Sequence, residues 1–88
     1  MQLTGRSALV TGGKRIGAVV AQALAARGAD VALSFNRSRH EAEQAAEAIR
    51  AHGQQAFIAP ADLSQASACG EIVQATTEAL GRLDILVH

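Results

Sequence analysis

The residues Thr11-Gly12-Gly13-Lys14-Arg15-Ile16-Gly17 sit between an apolar run and a segment with helical spacing. Their types could seat a phosphate. Glycines let a backbone come close to an anion, and a helix starting beside them aims unpaired N–H groups and the positive end of its dipole at it. A tight turn between two packed elements fits the same residues, and both readings stand on this stretch alone. A Walker-type loop does not fit. That motif needs a glycine separated by four residues from a Gly-Lys pair with Ser or Thr behind it, whereas Ala8 and Arg15 occupy those places.

A second group of anion donors follows in Asn36, Arg37 and Ser38. A guanidinium can give phosphate two parallel hydrogen bonds, and amide and hydroxyl groups add neutral ones; the alternative is that Arg37 and Arg39 are solvated charges ahead of a helix. Asp62 offers a carboxylate that either accepts from an amine or helps Ser64 cap a helix. Groups for acid–base catalysis are scarce. The chain has no tyrosine, its only lysine is Lys14, and no His/Ser/Asp set stands in for them. Glu41, Glu43 and Glu47, beside Arg39 and Arg50, read as a solvated helical face that His40 and His52 flank. Asp30 begins a strand at the end away from the other candidates, and Asp84 reads as a local hydrogen-bonding residue. Cys69 is alone, which excludes an internal disulfide and a cysteine metal cluster, and its helical spacing marks it as a small core residue. No catalytic and no metal-ligating residue is predicted.

These groups must be positioned by the apolar runs between them. Residues 7–11, 30–35, 55–62 and 83–88 read as strands, with Pro60 marking the end of the third. Residues 15–27 read as a helix with Ile16, Val19, Val20, Ala23 and Leu24 on one face and Gly28 at its end. Residues 38–52 form a second helix with Ala42, Ala45, Ala46 and Ile49 inward, before Gly53. A third is capped by Ser64, carries Cys69, Ile72, Val73, Thr76 and Leu80 inward, and closes at Gly81. Alternating β-α-β-α-β-α-β with short buried strands implies a three-layer, doubly wound parallel sheet. Right-handed crossovers predict the order 3-2-1-4, with a crevice beside strand one.

In this setting the chain resembles the N-terminal part of a short-chain dehydrogenase/reductase. The family opens with Thr-Gly, three variable residues, Gly, one residue, Gly; Thr11, Gly12 and Gly17 match its ends. Arg15 stands in place of the middle glycine, and the loop is one residue shorter. An arginine there resembles the pteridine-reductase-like branch. Ala61-Asp62-Leu63 resembles the family's adenine-contacting pair, and residues 83–88 resemble the strand leading into its Asn-Asn-Ala-Gly motif, with His88 in place of the first Asn. The resemblance implies a Rossmann-like fold, a nicotinamide cofactor, and a tyrosine–lysine proton relay that these residues do not include. The expectation is therefore the cofactor-binding part, residues 1–88, of a reductase acting on a carbonyl or pterin-type small molecule, itself inactive. The other reading is a non-catalytic dinucleotide-binding or partner-binding module. A homo-oligomer is possible for the complete protein only. For the cofactor, the NAD form of this fold places an acid about 20 residues past the glycines to meet the ribose 2′-OH; here Asn36, Arg37 and Ser38 occupy that place, and Arg15 can converge on the same charge. NADP(H) is predicted.

Composition agrees with a small domain. The 88 residues are 49% hydrophobic, with much of that share alanine, two Phe and no Trp. Eight basic and eight acidic residues balance, which gives no electrostatic reason to expect nucleic acid or an anionic membrane as partner. No apolar stretch approaches the roughly 20 residues that span a bilayer, residues 1–10 lack the charged start and long apolar run of a signal peptide, and a cytoplasmic setting is expected.

Overall fold

The computed structural model describes residues 2–11 and 15–87. Seven elements alternate among the described residues: β1 (Ser7–Val10), α1 (Arg15–Ala26), β2 (Asp30–Phe35), α2 (Arg39–Ala51), β3 (Ala56–Pro60), α3 (Ala68–Leu80) and β4 (Ile85–Val87). All four strands are parallel, in the order β3-β2-β1-β4. Ser7 lies opposite Asp30 and Val10 opposite Leu33; on its other side Ala8 lies opposite Ile85. This is the Rossmann-like arrangement the alternation predicts. All four residues of β1 are buried, as a strand covered on both faces requires.

Side chains alternate across a strand, so each strand feeds two cores. Val10, Val31 and Leu33 face α1 and α2 and pack with Ala21, Ala25, Ala45 and Ile49. Leu9 and Ala32 face the other way, toward Ile72 of α3. The molecule thus has three layers, with two helices on one face of the sheet and one on the other.

The buried stripe of α1 differs from the predicted one. Ala21 and Ala25 are buried, Val20 and Leu24 are half-buried, and Val19 is 63% exposed, with Ala23 exposed as well. This helix is apolar almost all round, so its sequence sets a period without setting a phase, and the small alanines let it lie close to the sheet. The third helix also begins later than predicted. Asp62 Oδ1 accepts from the Ser64 backbone N–H at 3.0 Å and from its hydroxyl at 2.6 Å, which closes a turn directly after β3. Ser64 is used up in that turn, and Ser67 is the residue that precedes the helix. Cys69 then falls in the exposed first turn of α3 and is not a core residue.

Helix ends match their glycines. Gly81 follows α3 with φ +85° and donates to the Thr77 carbonyl at 2.8 Å, and Gly28 turns the chain from α1 into β2 with φ +102°. β4, shorter than the predicted 83–88, is fastened to β1 at both ends. Asp84 Oδ2 accepts the Ser7 N–H at 3.0 Å while the Asp84 N–H donates to the Ser7 carbonyl at 2.9 Å. At the other end the Val87 carbonyl accepts from the Thr11 N–H at 3.0 Å and from its hydroxyl at 3.3 Å. Arg82 grips Asp84 with two hydrogen bonds of 2.8 and 2.7 Å. These bonds, joined by the Ser7 N–H and the charges of Arg82 and Arg6, hold the Asp84 carboxyl down to about 2. No helix among the described residues is long and apolar enough to cross a membrane.

Candidate cofactor site

Because the strands are parallel, their C-terminal ends share one rim of the sheet, and the predicted site residues fall along it. Thr11 ends β1, Asn36-Arg37-Ser38 link β2 to α2, and Asp62-Leu63 follow β3. Gly17 lies in the first turn of α1, which Arg15 and Ile16 open. The side chains of Arg15 and Ile16, and the whole of Gly12, Gly13, Lys14 and His88, lie outside the described residues.

The structure gathers part of this set into one place. A cavity of about 240 Å³ opens between the ends of β2 and β3, lined by Ser34, Phe35, Asn36, Ala61, Asp62, Leu63 and Ser64. Asn36, Asp62 and Leu63, predicted separately, thus share its wall. The Asp62 carboxyl is held below its ordinary range, first by the Ser64 hydroxyl, then by the Ser64 N–H, with the positive charge of Arg37 adding to both. Arg37 is exposed, forms no hydrogen bond among the described residues, and lies near enough to act on Asp62 through its field. Ser38 stands apart. It lines a groove of about 560 Å³ between α1 and α2, together with Ala18, Val19, Gln22, Glu41, Gln44 and Ala45. Thr11 is tied to the end of β4.

Sequence reasoning missed the floor of the cavity. Ser34 is 1% exposed and Phe35 5% exposed at the end of β2, and the signal that could have found them is their position one and two residues before Asn36. Arg39, named in the sequence reading as a solvated charge, is exposed, and its guanidinium carbon sits 5.7 Å from the centroid of the Phe35 ring. Chemically, the cavity presents a carboxylate that accepts hydrogen bonds, an amide side chain, and Leu63 and Phe35 as apolar surface, with a cation at its edge. Such a wall suits a heterocycle carrying an amine, with a phosphate next to it.

Comparison with known proteins follows the same line. Residues 6–88 match the family model for short chain dehydrogenase. The chain therefore belongs to the short-chain dehydrogenase family. It is 44% identical over 88 residues to the hydroxynaphthalene reductase arp2 of Aspergillus fumigatus, covering 99% of this chain and 32% of that one. It is 43% identical over 89 residues to the short-chain dehydrogenase/reductase homolog YusS of Bacillus subtilis, covering 100% of this chain and 82% of that protein. Among solved structures, a short chain dehydrogenase from Burkholderia cenocepacia J2315 in complex with NADP superposes with a TM-score of 0.93 at 41% identity, over 98% of this chain and 36% of that one. The chain thus spans about a third of the length of the fungal reductase and of the Burkholderia enzyme. These relatives make it part of an oxidoreductase family that binds a nicotinamide cofactor.

Proposed function

We propose that this chain is the NADP(H)-binding portion of a cytoplasmic short-chain reductase in which hydride passes between the nicotinamide and a carbonyl or pterin-type substrate. The observation that carries the cofactor choice is the end of β2. Asn36, Arg37 and Ser38 stand where an NAD-binding sheet of this topology places an acid, so nothing there repels a 2′-phosphate and Arg37 can bind it. In this reading Asp62 accepts from the adenine amine and Leu63 and Asn36 flank the ring. The N-terminus of α1, with Gly12, Gly13, Lys14 and Arg15 ahead of and within its first turn, takes the pyrophosphate and shares the 2′-phosphate. Complex formation with NADP in the Burkholderia relative supports the choice. Arg15 in the glycine loop is what favours the pteridine-reductase-like branch.

When bound, the nicotinamide supplies the hydride. The 88 residues hold no tyrosine and so no proton donor of the family's usual kind. The chain by itself is expected to show no substrate-dependent NADPH oxidation with carbonyl or pterin substrates, and turnover that survives rigorous purification overturns that expectation. Titration of the chain with NADPH and NADH tests the cofactor choice, since equal affinities would refute it. A second reading, a non-catalytic dinucleotide-binding or partner-binding module, is favoured by one observation: the short Bacillus relative, 82% of which this chain covers. Tight cofactor binding by a clean, cooperatively melting monomer would favour that reading.

A further inference from the structure

Arg39 is the first residue of α2, and side chains in a helix lean back toward its N-terminus. That lean carries its guanidinium over Phe35, 5.7 Å from the ring centroid, and Phe35 is itself one of the residues that line the cavity with Asn36 and Asp62. The guanidinium is only partly engaged. Its Nε donates to Glu43 Oε1 at 3.0 Å, one helical turn along, while its two terminal nitrogens form no hydrogen bond among the described residues. Both partners are open to water, with side chains 70% and 53% exposed. An exposed pair of this kind is weak, and the order Arg then Glu along the helix is the less favourable one against the dipole. Phe35 and Glu43 therefore each hold the guanidinium weakly, one beneath it and the other at Nε.

We propose that Arg39 is a further contact for the 2′-phosphate, restrained by Glu43. Binding an NADP-type ligand turns the guanidinium from the Glu43 carboxylate to the phosphate, with Phe35 as its pivot. Glu43 then acts as an internal competitor that lowers affinity for ligands with a 2′-phosphate and leaves those with a free 2′-hydroxyl alone. The inference rests on the cofactor reading above and extends it to a residue outside Asn36-Arg37-Ser38.

The test uses NADPH and NADH as probes with the full 88-residue chain and its Arg39→Gln, Glu43→Gln, Arg39→Lys and Arg37→Asp variants, each checked for parental circular dichroism. Removing one exposed charge–charge contact should weaken NADPH binding about three- to fivefold in Arg39→Gln and leave NADH unchanged. Arg39→Lys should recover part of that loss. Glu43→Gln should tighten NADPH by about twofold, again without effect on NADH. A gain on deleting an acid is not expected if the pair merely stabilises α2. An unchanged NADPH:NADH ratio in both Arg39→Gln and Glu43→Gln overturns the proposal. If the parent prefers NADPH and Arg37→Asp abolishes that preference, such a result leaves the cofactor reading standing and defeats Arg39 alone. A parent chain that binds neither probe, or both equally, defeats the two together.

Discussion

At the scale of single residues, the cofactor assignment depends on one cation in one place. Arg37 stands at the edge of the cavity, exposed and close enough to lower the carboxyl of Asp62. Arg37→Asp should reverse the preference for NADPH, with a change of about tenfold or more in the ratio of dissociation constants, because the variant replaces a charge-assisted donor with a repelling acid. Paired titrations of both cofactors measure it, and a ratio that does not move contradicts the assignment. The sequence made this residue legible through type and place together. The wall behind it was less visible. Phe35 and Ser34 read as the interior of a strand, and only the three-dimensional junction of β2 with the loop after β3 makes them part of a cavity. Ser64 was ambiguous for a physical reason: its hydroxyl can cap a helix or close a turn on Asp62, and both use the same local geometry.

At the scale of elements, order and type were readable because buried parallel strands are short apolar runs and every helix ends at a glycine. The phase of α1 was not. A helix with apolar residues on all sides is oriented by what it packs against, and here the close approach of Ala21 and Ala25 to the sheet decides it. The joints between elements give two tests. At Gly28 a Cβ would lie 2.8 Å from Thr4 Oγ1 and 3.1 Å from the Thr4 backbone nitrogen, at φ +102°, whereas at Gly53, φ +85°, nothing lies within 4 Å. Gly28→Ala should lower the melting temperature by roughly 5–15 °C. Gly53→Ala, which adds strain without a clash, should cost less, and equal losses would show that the Thr4 contact is unimportant.

The second joint is Asp84. Its carboxyl sits at about 2 in the folded chain against an ordinary value of 3.8, so it is depressed. The stability it contributes is therefore present above 3.8 and is lost as pH falls through about 2. Asp84→Asn should melt below the parent near neutral pH, and the gap between the two should close on acidification toward about 2. A gap that stays constant across that range would mean the charge of Asp84 is not what fastens β4.

At the scale of the whole sheet, β4 is one edge strand among the described residues and β3 is the other. Among the described residues the only neighbouring element of β4 is β1, and Leu86 is 52% exposed. An apolar strand with a bare edge templates association, and an alanine-rich core has little stability in reserve against it. At micromolar concentration the folded 88-residue chain should self-associate through this edge. Sedimentation across a concentration series checks this, and a species that stays monomeric contradicts it.

The fastening of β4 also has a kinetic side. The Ser7–Asp84 hydrogen bond joins residues 77 apart in sequence, whereas β2 and β3 pair across the span of a single helix. Closing the longer loop costs more chain entropy until α3 has packed on β1 and β2 and brought the start of β4 to the sheet. The strands β1, β2 and β3 should accordingly assemble before β4 docks. In a folding study, truncating Leu33 should slow folding, while truncating Val87 should chiefly speed unfolding.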